Sequence, residues 1–122
     1  LDVIGRVCLR EKMSPAVSAK RFFDRCTTVQ RVIEENEFPV HTVYLEEMIS
    51  HPESILRQLA TFCRLSADQD YIQQCAKTLI DKPRQCRSDV PWGEGDAERI
   101  MKQAEAYDYL QRYALSDQRR AA

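Results

Sequence analysis

The sequence predicts an α/β domain that is predominantly helical, in which a partial βαβ unit with two short parallel strands is followed by three helices. Three observations support this fold class. Apolar residues recur at helical spacing over most of the chain, and two short runs rich in β-branched residues flank the longest helical pattern. Only three glycines occur in 122 residues, and two of them flank Glu94, so that turn residues are concentrated in one place.

The first predicted strand lies within the first nine residues. Its apolar residues are Val3, Ile4, Val7, Cys8 and Leu9. This run fits a strand buried on both faces, although Leu1, Ile4 and Cys8 also fit one face of a helix. Gly5 and the β-branched content favour the strand.

A long helix is predicted next. Ser14-Pro15 is typical of an N-cap followed by proline at the first helical position. The helix is expected to end near Asn36, before Pro39. Its predicted apolar stripe, at alternating spacings of three and four, comprises Ala19, Phe22, Cys26, Val29 and Ile33.

The second predicted strand is the run FPVHTVYL, from Phe38 to Leu45. It is short and rich in β-branched and aromatic residues, and an acidic pair follows it. A strand, a helix and a second strand form a βαβ unit, whose strands are expected to be parallel and joined by a right-handed crossover.

Capping-box signals precede the next two predicted helices. One begins around Ser50, with Pro52 in its first turn, and the other begins around Ser66. The predicted apolar faces consist of Ile55, Leu56, Leu59, Phe62 and Cys63 in the first helix, and of Tyr71, Ile72, Cys75, Ala76, Leu79 and Ile80 in the second.

The rest of the chain contains an irregular stretch and a final helix. The run DKPRQCRSDVPWGEG, from Asp81 to Gly95, has no helical or strand periodicity. The final helix is predicted from about Asp96 to Tyr113. We therefore expect one domain over residues 1–115 and a frayed tail over residues 116–122.

Composition limits the classes of function. The chain has 18 basic and 19 acidic residues, a net charge of −1, which argues against nucleic acid as the main partner. No apolar run is long enough for a membrane span, and Leu1-Asp2 does not open a secretory leader. Five cysteines without metal-ligand spacing predict reduced thiols and no metal site. A cytoplasmic location is therefore expected.

Arg10 and Ser18 form a candidate phosphate site. Arg10 ends the first predicted strand, and Ser18 follows eight residues later in the first turns of the next helix. Ligands of open α/β sheets bind beyond the carboxyl ends of the strands, where helix N-termini present N–H groups to anions. An arginine can donate two hydrogen bonds to a phosphate there, and a serine can add a third. The alternative is an arginine that is solvated or ion-paired.

Three runs resemble segments of the sulfotransferase family. VCLREKMSPAVSAKRFF resembles the stretch that binds the 3′-phosphate of the donor, and VHTVYLEEMISHPESILRQLATFCRL resembles the later strand and helix. RSDVPWGEGDAERIMKQAEAYDYLQRYAL is similar to the C-terminal basic loop, tryptophan and last helix. The matching positions of the middle run are Tyr44, Glu46, Pro52, Leu56, Leu59, Phe62 and Leu65. The resemblance covers nearly the whole chain. It is a resemblance to the C-terminal half of a sulfotransferase domain, which implies a truncated P-loop-type fold.

This resemblance implies a donor, 3′-phosphoadenosine 5′-phosphosulfate, and transfer of its sulfuryl group to a hydroxyl or amine of an acceptor. It implies that Arg10 and Ser18 hold the 3′-phosphate, and that Arg84 and Arg87 are candidates for the basic loop that closes over the donor. The family's phosphate loop does not occur in this sequence, and Lys12 stands where the family motif usually has proline. Catalysis therefore requires upstream residues, and no catalytic residue is assigned.

Two other hypotheses remain at this point. The chain could be a non-catalytic helical protein-interaction module, possibly homodimeric, with a contact surface of Trp92, Tyr107, Tyr109 and Tyr113, unless these aromatic residues belong to the core. A helix-turn-helix within residues 52–80 could bind DNA, but Asp68 and Asp70 open its second helix and disfavour an anionic partner.

Overall fold

The computed structural model describes residues 1–113, and its regular elements in this range are helices. In chain order they are α1 (Asp2–Glu11), α2 (Pro15–Glu35), α3 (Leu45–Ser50), α4 (Pro52–Phe62), α5 (Gln69–Lys77) and α6 (Asp96–Ala104), with 3-10 turns at Arg87–Asp89 and Asp108–Leu110. The predicted tail, residues 116–122, and the last two residues of the predicted domain lie outside the described range.

The predicted first strand is wrong, because these residues form helix α1. Ile4, Gly5 and Cys8 are buried along one side of α1. Gly5 marks a close approach between segments: a Cβ atom there would lie 3.0 Å from Cγ2 of Val90 and 3.4 Å from the carbonyl oxygen of Cys86. The glycine that favoured a strand is therefore a packing residue of a helix.

The predicted second strand is also wrong. Residues 37–44 form no regular element, and the Phe38 residue is 69% exposed. Pro39 lacks a backbone N–H, and residues 1–113 contain no strand with which this segment could pair. The βαβ unit and the parallel strands of the predicted fold class are absent from the described chain.

Helix α2 confirms the prediction at both ends. Ser14 is the N-cap, and its hydroxyl accepts a hydrogen bond from the Val17 N–H at 3.4 Å, while Pro15 is the first helical residue. Asn36 ends the helix in the left-handed region, with φ of 48°. The predicted stripe is only partly correct, since the buried residues are Ser18, Ala19, Phe23 and Cys26.

Helices α4 and α5 confirm the predicted helix pair with different caps. Helix α4 begins at Pro52, but His51 is the N-cap and makes no side-chain capping bond. Asp68 caps α5, because its Oδ1 accepts the Tyr71 N–H at 2.8 Å. An aspartate thus performs the role predicted for Ser66.

The described chain forms two compact units. The first contains Leu1–Phe38 together with the described residues from Gln85 onward, and the second is Pro39–Arg84. The core of the first unit consists of Ile4, Cys8, Ala19, Phe23, Cys26, Val90, Ile100 and Ala104. In the second unit, Ile55 and Ile72 are the buried hydrophobic residues.

The final helix is shorter than predicted, since α6 ends at Ala104. The chain then turns and places two tyrosines against α2. The Tyr107 ring stacks on Phe23 with ring centroids 5.8 Å apart, and its hydroxyl donates to the Phe23 carbonyl at 3.3 Å. The Tyr109 hydroxyl donates to the Cys26 carbonyl at 3.1 Å. These contacts replace the continuation of a straight helix.

Candidate functional site

Arg10 lies in the last turn of α1, at the turn between α1 and α2, and it is exposed. Its Nη2 is 2.7 Å from Oε1 of Glu11, and Nη1 of Arg21 is 3.4 Å from Oε2 of the same carboxylate. The hydrogen bond from Arg10, together with the charges of Arg10, Arg21 and Arg25, lowers the pKa of Glu11. Arg10 and Arg21 therefore contact one carboxylate on this surface, and together with Arg25, whose charge also acts on Glu11, they form what we call the α1–α2 basic patch.

Ser18 does not join Arg10 at an exposed surface. The Ser18 residue is only 1% exposed, and its Oγ has no hydrogen-bond partner among the described residues. The Arg10 guanidinium faces solvent, whereas the Ser18 hydroxyl is shielded from it. The structure thus places the predicted pair on one helical hairpin without bringing the two side chains to one exposed position.

Arg84 and Arg87 lie in different units. Arg84 is an exposed residue at the end of the second unit, outside any regular element. Arg87 belongs to the first unit and begins the 3-10 turn Arg87–Asp89. Its guanidinium is bound to Asp2, at the start of α1.

Asp2 accepts hydrogen bonds through both of its carboxylate oxygens. Its Oδ1 accepts the backbone N–H groups of Cys86 at 2.8 Å and Arg87 at 2.9 Å. Its Oδ2 accepts Nε of Arg87 at 2.9 Å and Nη2 at 2.6 Å. The carbonyl of Arg87 in turn accepts the indole N–H of Trp92 at 2.7 Å. We call Asp2, the Cys86 and Arg87 N–H groups and the Arg87 guanidinium the Asp2 clamp.

The electrostatics of the clamp favour the charged carboxylate. Burial of Asp2 raises its pKa, but the hydrogen bonds from the Arg87 side chain and from the Arg87 and Cys86 N–H groups outweigh burial, so the pKa lies below its usual value. Sequence reasoning missed this site because its members are 84 and 85 positions apart. One signal was available: if residues 1–9 are a helix, Asp2 lies in its first turn, where an acidic side chain accepts hydrogen bonds favourably.

The aromatic residues proposed as a contact surface mainly serve the core. Trp92, Tyr107 and Tyr109 pack against the buried cluster of the first unit. Burial, followed by the interaction with Cys26, raises the pKa of the Tyr109 phenol above its usual value. These three residues confirm the core alternative, and Tyr113 is half-buried.

A groove lies between α4 and α5 in the second unit, with a volume of about 520 Å³. It is lined by Leu56, Leu59, Ala60, Cys63, Leu65, Ser66, Ala67, Asp68, Tyr71, Ile72 and Cys75. Leu65 and Tyr71 are among the most exposed large apolar residues of the chain. The groove is thus an apolar surface that the second unit does not cover by itself.

Residues 1–113 contain neither a disulfide nor a cluster of metal-ligating side chains. The five cysteines are unpaired, with Cys8 and Cys26 buried and Cys63 exposed. Over this range, no cluster of three or more His, Cys, Asp or Glu side chains is arranged to hold a metal ion. The same residues include no helix with the length and apolar character needed to cross a membrane.

Comparison with known proteins identifies no relative. No protein-family model matches the chain, and neither a curated protein nor a solved structure matches it.

Proposed function

We propose that this chain is the donor-binding part of a sulfotransferase-type protein, in which Arg10 contacts a phosphate of 3′-phosphoadenosine 5′-phosphosulfate. The observation that carries the proposal is the α1–α2 basic patch, where Arg10 and Arg21 both contact the Glu11 carboxylate, at 2.7 and 3.4 Å. Arginine binds phosphate through parallel N–H groups, and a doubly charged phosphate competes well with one exposed carboxylate. The patch gives a chain of nearly neutral charge a local site for a small anionic nucleotide.

The order of the sequence motifs supports the same proposal. The resemblance implies a helix that begins at a proline and ends in a Phe-x-x-Leu segment, and α4 runs from Pro52 to Phe62 with Leu65 beyond it. It also implies a helix that carries Ser18, which α2 provides, but the buried Ser18 hydroxyl does not join Arg10 at the surface and is left out of the proposed site. The family's phosphate loop is not among these residues, so the proposal for this chain is donor binding. Turnover requires that loop, and an acceptor is not assigned.

Titration with adenosine 3′,5′-bisphosphate by isothermal calorimetry tests donor binding. Arg10→Gln should weaken binding by about tenfold or more, since a hydrogen bond to a charged group contributes about 1.5–3 kcal/mol. Arg31→Gln is the matched control, because Arg31 is also an exposed helical arginine paired with a glutamate, at 3.7 Å from Glu35. Equal affinities of the wild-type and Arg10→Gln proteins, or no binding by the wild type, would contradict the proposal.

A second proposed function is a helical protein-interaction module that self-associates. The groove between α4 and α5 favours it, because Leu65 and Tyr71 expose large apolar side chains at its margin. Sedimentation equilibrium should show a mass that rises with concentration, and Leu65→Asp should restore the monomer. Val3→Asp, at an exposed valine of the first unit, is the control. A monomeric wild type over the whole concentration range excludes self-association.

A further inference from the structure

Helix α2 carries its charges in the order opposite to the one that a helix dipole favours. Its first turn contains no acidic residue, and its last turn contains no basic residue but ends in Glu34 and Glu35. Carboxylates at a helix C-terminus lie next to the partial negative charge of the unpaired carbonyl groups, which is unfavourable. A positively charged neighbour therefore stabilises this end of α2.

One exposed stripe of α2 has a positive and a negative end. Its members recur at spacings of four, three, four and three, which is the spacing of a coiled-coil seam, and all are exposed: Arg21, Arg25, Thr28, Val32 and Glu35. Val32 and the adjacent Val29 are 42% and 46% exposed. The α2 stripe, as we call these five residues, thus has two arginines at one end, a largely apolar centre and a glutamate at the other end.

The charges at both ends are only weakly engaged within the chain. Nη1 of Arg21 is 3.4 Å from Oε2 of Glu11, and Nε of Arg31 is 3.7 Å from Oε1 of Glu35. Arg25 acts on Glu11 through its charge and not through a hydrogen bond. Exposed ion pairs at such distances contribute little to stability, so both ends of the stripe can take a second partner.

We propose that the α2 stripe pairs with the α2 stripe of a second copy of this chain in an antiparallel arrangement. Antiparallel pairing brings Arg21 and Arg25 of each copy to Glu35 of the other, whereas parallel pairing places arginines against arginines. A two-fold axis near Thr28 relates the copies, so each contact forms twice. The stripe is complementary in charge to itself, and this selects a second copy over an unrelated helix.

This inference goes beyond the proposed functions, because it concerns the first unit and not the groove between α4 and α5. The two surfaces are alternatives for a second copy, and two measurements distinguish them. Added salt screens the ion pairs at the ends of the stripe, so it should weaken pairing through α2. Leu65→Asp should leave this pairing intact. A monomeric Leu65→Asp protein overturns the inference and supports the groove.

Charge reversal tests the pairing in the full chain, by sedimentation equilibrium at protein concentrations up to about 1 mM. Arg25→Glu and Glu35→Arg should each weaken self-association by about tenfold or more, because each places like charges together twice. An equimolar mixture of the two variants should associate as strongly as the wild type, since every reversed charge then faces an opposite one. A variant that only disturbed the fold would not be rescued by mixing.

Lys20→Glu and Glu34→Arg are the matched controls. Each changes the charge by the same amount one residue before a stripe position, which is about 100° round the helix axis. Alone or mixed, they should associate as the wild type does. The inference is overturned by a wild type that is monomeric over the whole range, by controls that weaken the dimer equally, or by a mixture of Arg25→Glu and Glu35→Arg that associates no better than either variant alone.

Discussion

Replacing Asp2 with alanine removes the four hydrogen bonds that attach the start of α1 to Cys86 and Arg87. These bonds come from the Arg87 side chain and from two backbone N–H groups, and the contact is partly buried. We therefore expect Asp2→Ala to destabilise the first unit at neutral pH in phosphate-free buffer, and Trp92 emission to report the loss.

The magnitude follows from the contact geometry. A hydrogen bond to a charged group contributes about 1.5–3 kcal/mol, but these four share one carboxylate and are not additive. Partial exposure of the Arg87 side chain, at 37%, reduces the value further. We expect a loss of about 2–3 kcal/mol in the free energy of unfolding. With a urea dependence of about 1–3 kcal/mol per molar, the unfolding midpoint should fall by about 0.7–3 M.

The pH dependence provides a second check. The folded-state pKa of Asp2 lies below its value in the unfolded chain, so the stabilisation is complete above about pH 4 and is lost as the pH falls through the folded-state pKa. Urea curves of the wild type and Asp2→Ala should differ by a constant amount from pH 7 to pH 5 and converge in more acidic buffer.

Asp96→Ala is the control, because the Asp96 carboxylate contacts only residues three positions away, Gly93 and Arg99, among the contacts described here. It should lower the free energy of unfolding by less than Asp2→Ala does. A difference of less than about 0.5 kcal/mol between wild type and Asp2→Ala at neutral pH, or a difference that persists unchanged at pH 2, would refute this account of the clamp.

Three further predictions concern the core and the thiols. Tyr109→Phe should lower the free energy of unfolding by about 1 kcal/mol by removing the hydrogen bond to the Cys26 carbonyl, while Tyr71→Phe, at an exposed site, should change it little; urea denaturation measures both. Phe23→Ala should lower the free energy of unfolding by about 3–5 kcal/mol, because Phe23 is buried. A smaller loss of this free energy, measured by calorimetry, would contradict the place of Phe23 in the core. Iodoacetamide should label Cys63 well before Cys26, since Cys63 is exposed and burial raises the pKa of the Cys26 thiol; mass spectrometry that finds equal rates would contradict this.

Local chemistry explains which elements could be predicted from the sequence. Ser14 and Pro15 supply a cap and a preset φ at the start of α2, and Asn36 adopts the left-handed conformation that ends it. Pro52 likewise defines the start of α4. Each of these helix boundaries depends on residues within one turn of it. The boundaries can therefore be predicted from a single sequence.

The two strand predictions were wrong because the contacts that decide between helix and strand are not local in sequence. The apolar residues of the first segment fit either period, and the choice depends on Val90 and Cys86, which approach Gly5 from a distant part of the chain. The segment Phe38–Leu45 has strand-forming residues, but a strand also needs a neighbour with which to pair. The same limit applies to the site, since nothing near Asp2 in the sequence indicates Arg87.

The two-unit arrangement also has a consequence for folding rate. The first unit joins residues on both sides of the second one, and its polar contacts, such as Asp2 with Arg87 and Tyr107 with Phe23, span 85 and 84 positions. Helical proteins usually fold fast because their contacts are local, but this core requires closure of a long loop first. We therefore expect slower folding than that of a simple helical bundle of equal length, with the second unit able to form early and shorten the loop.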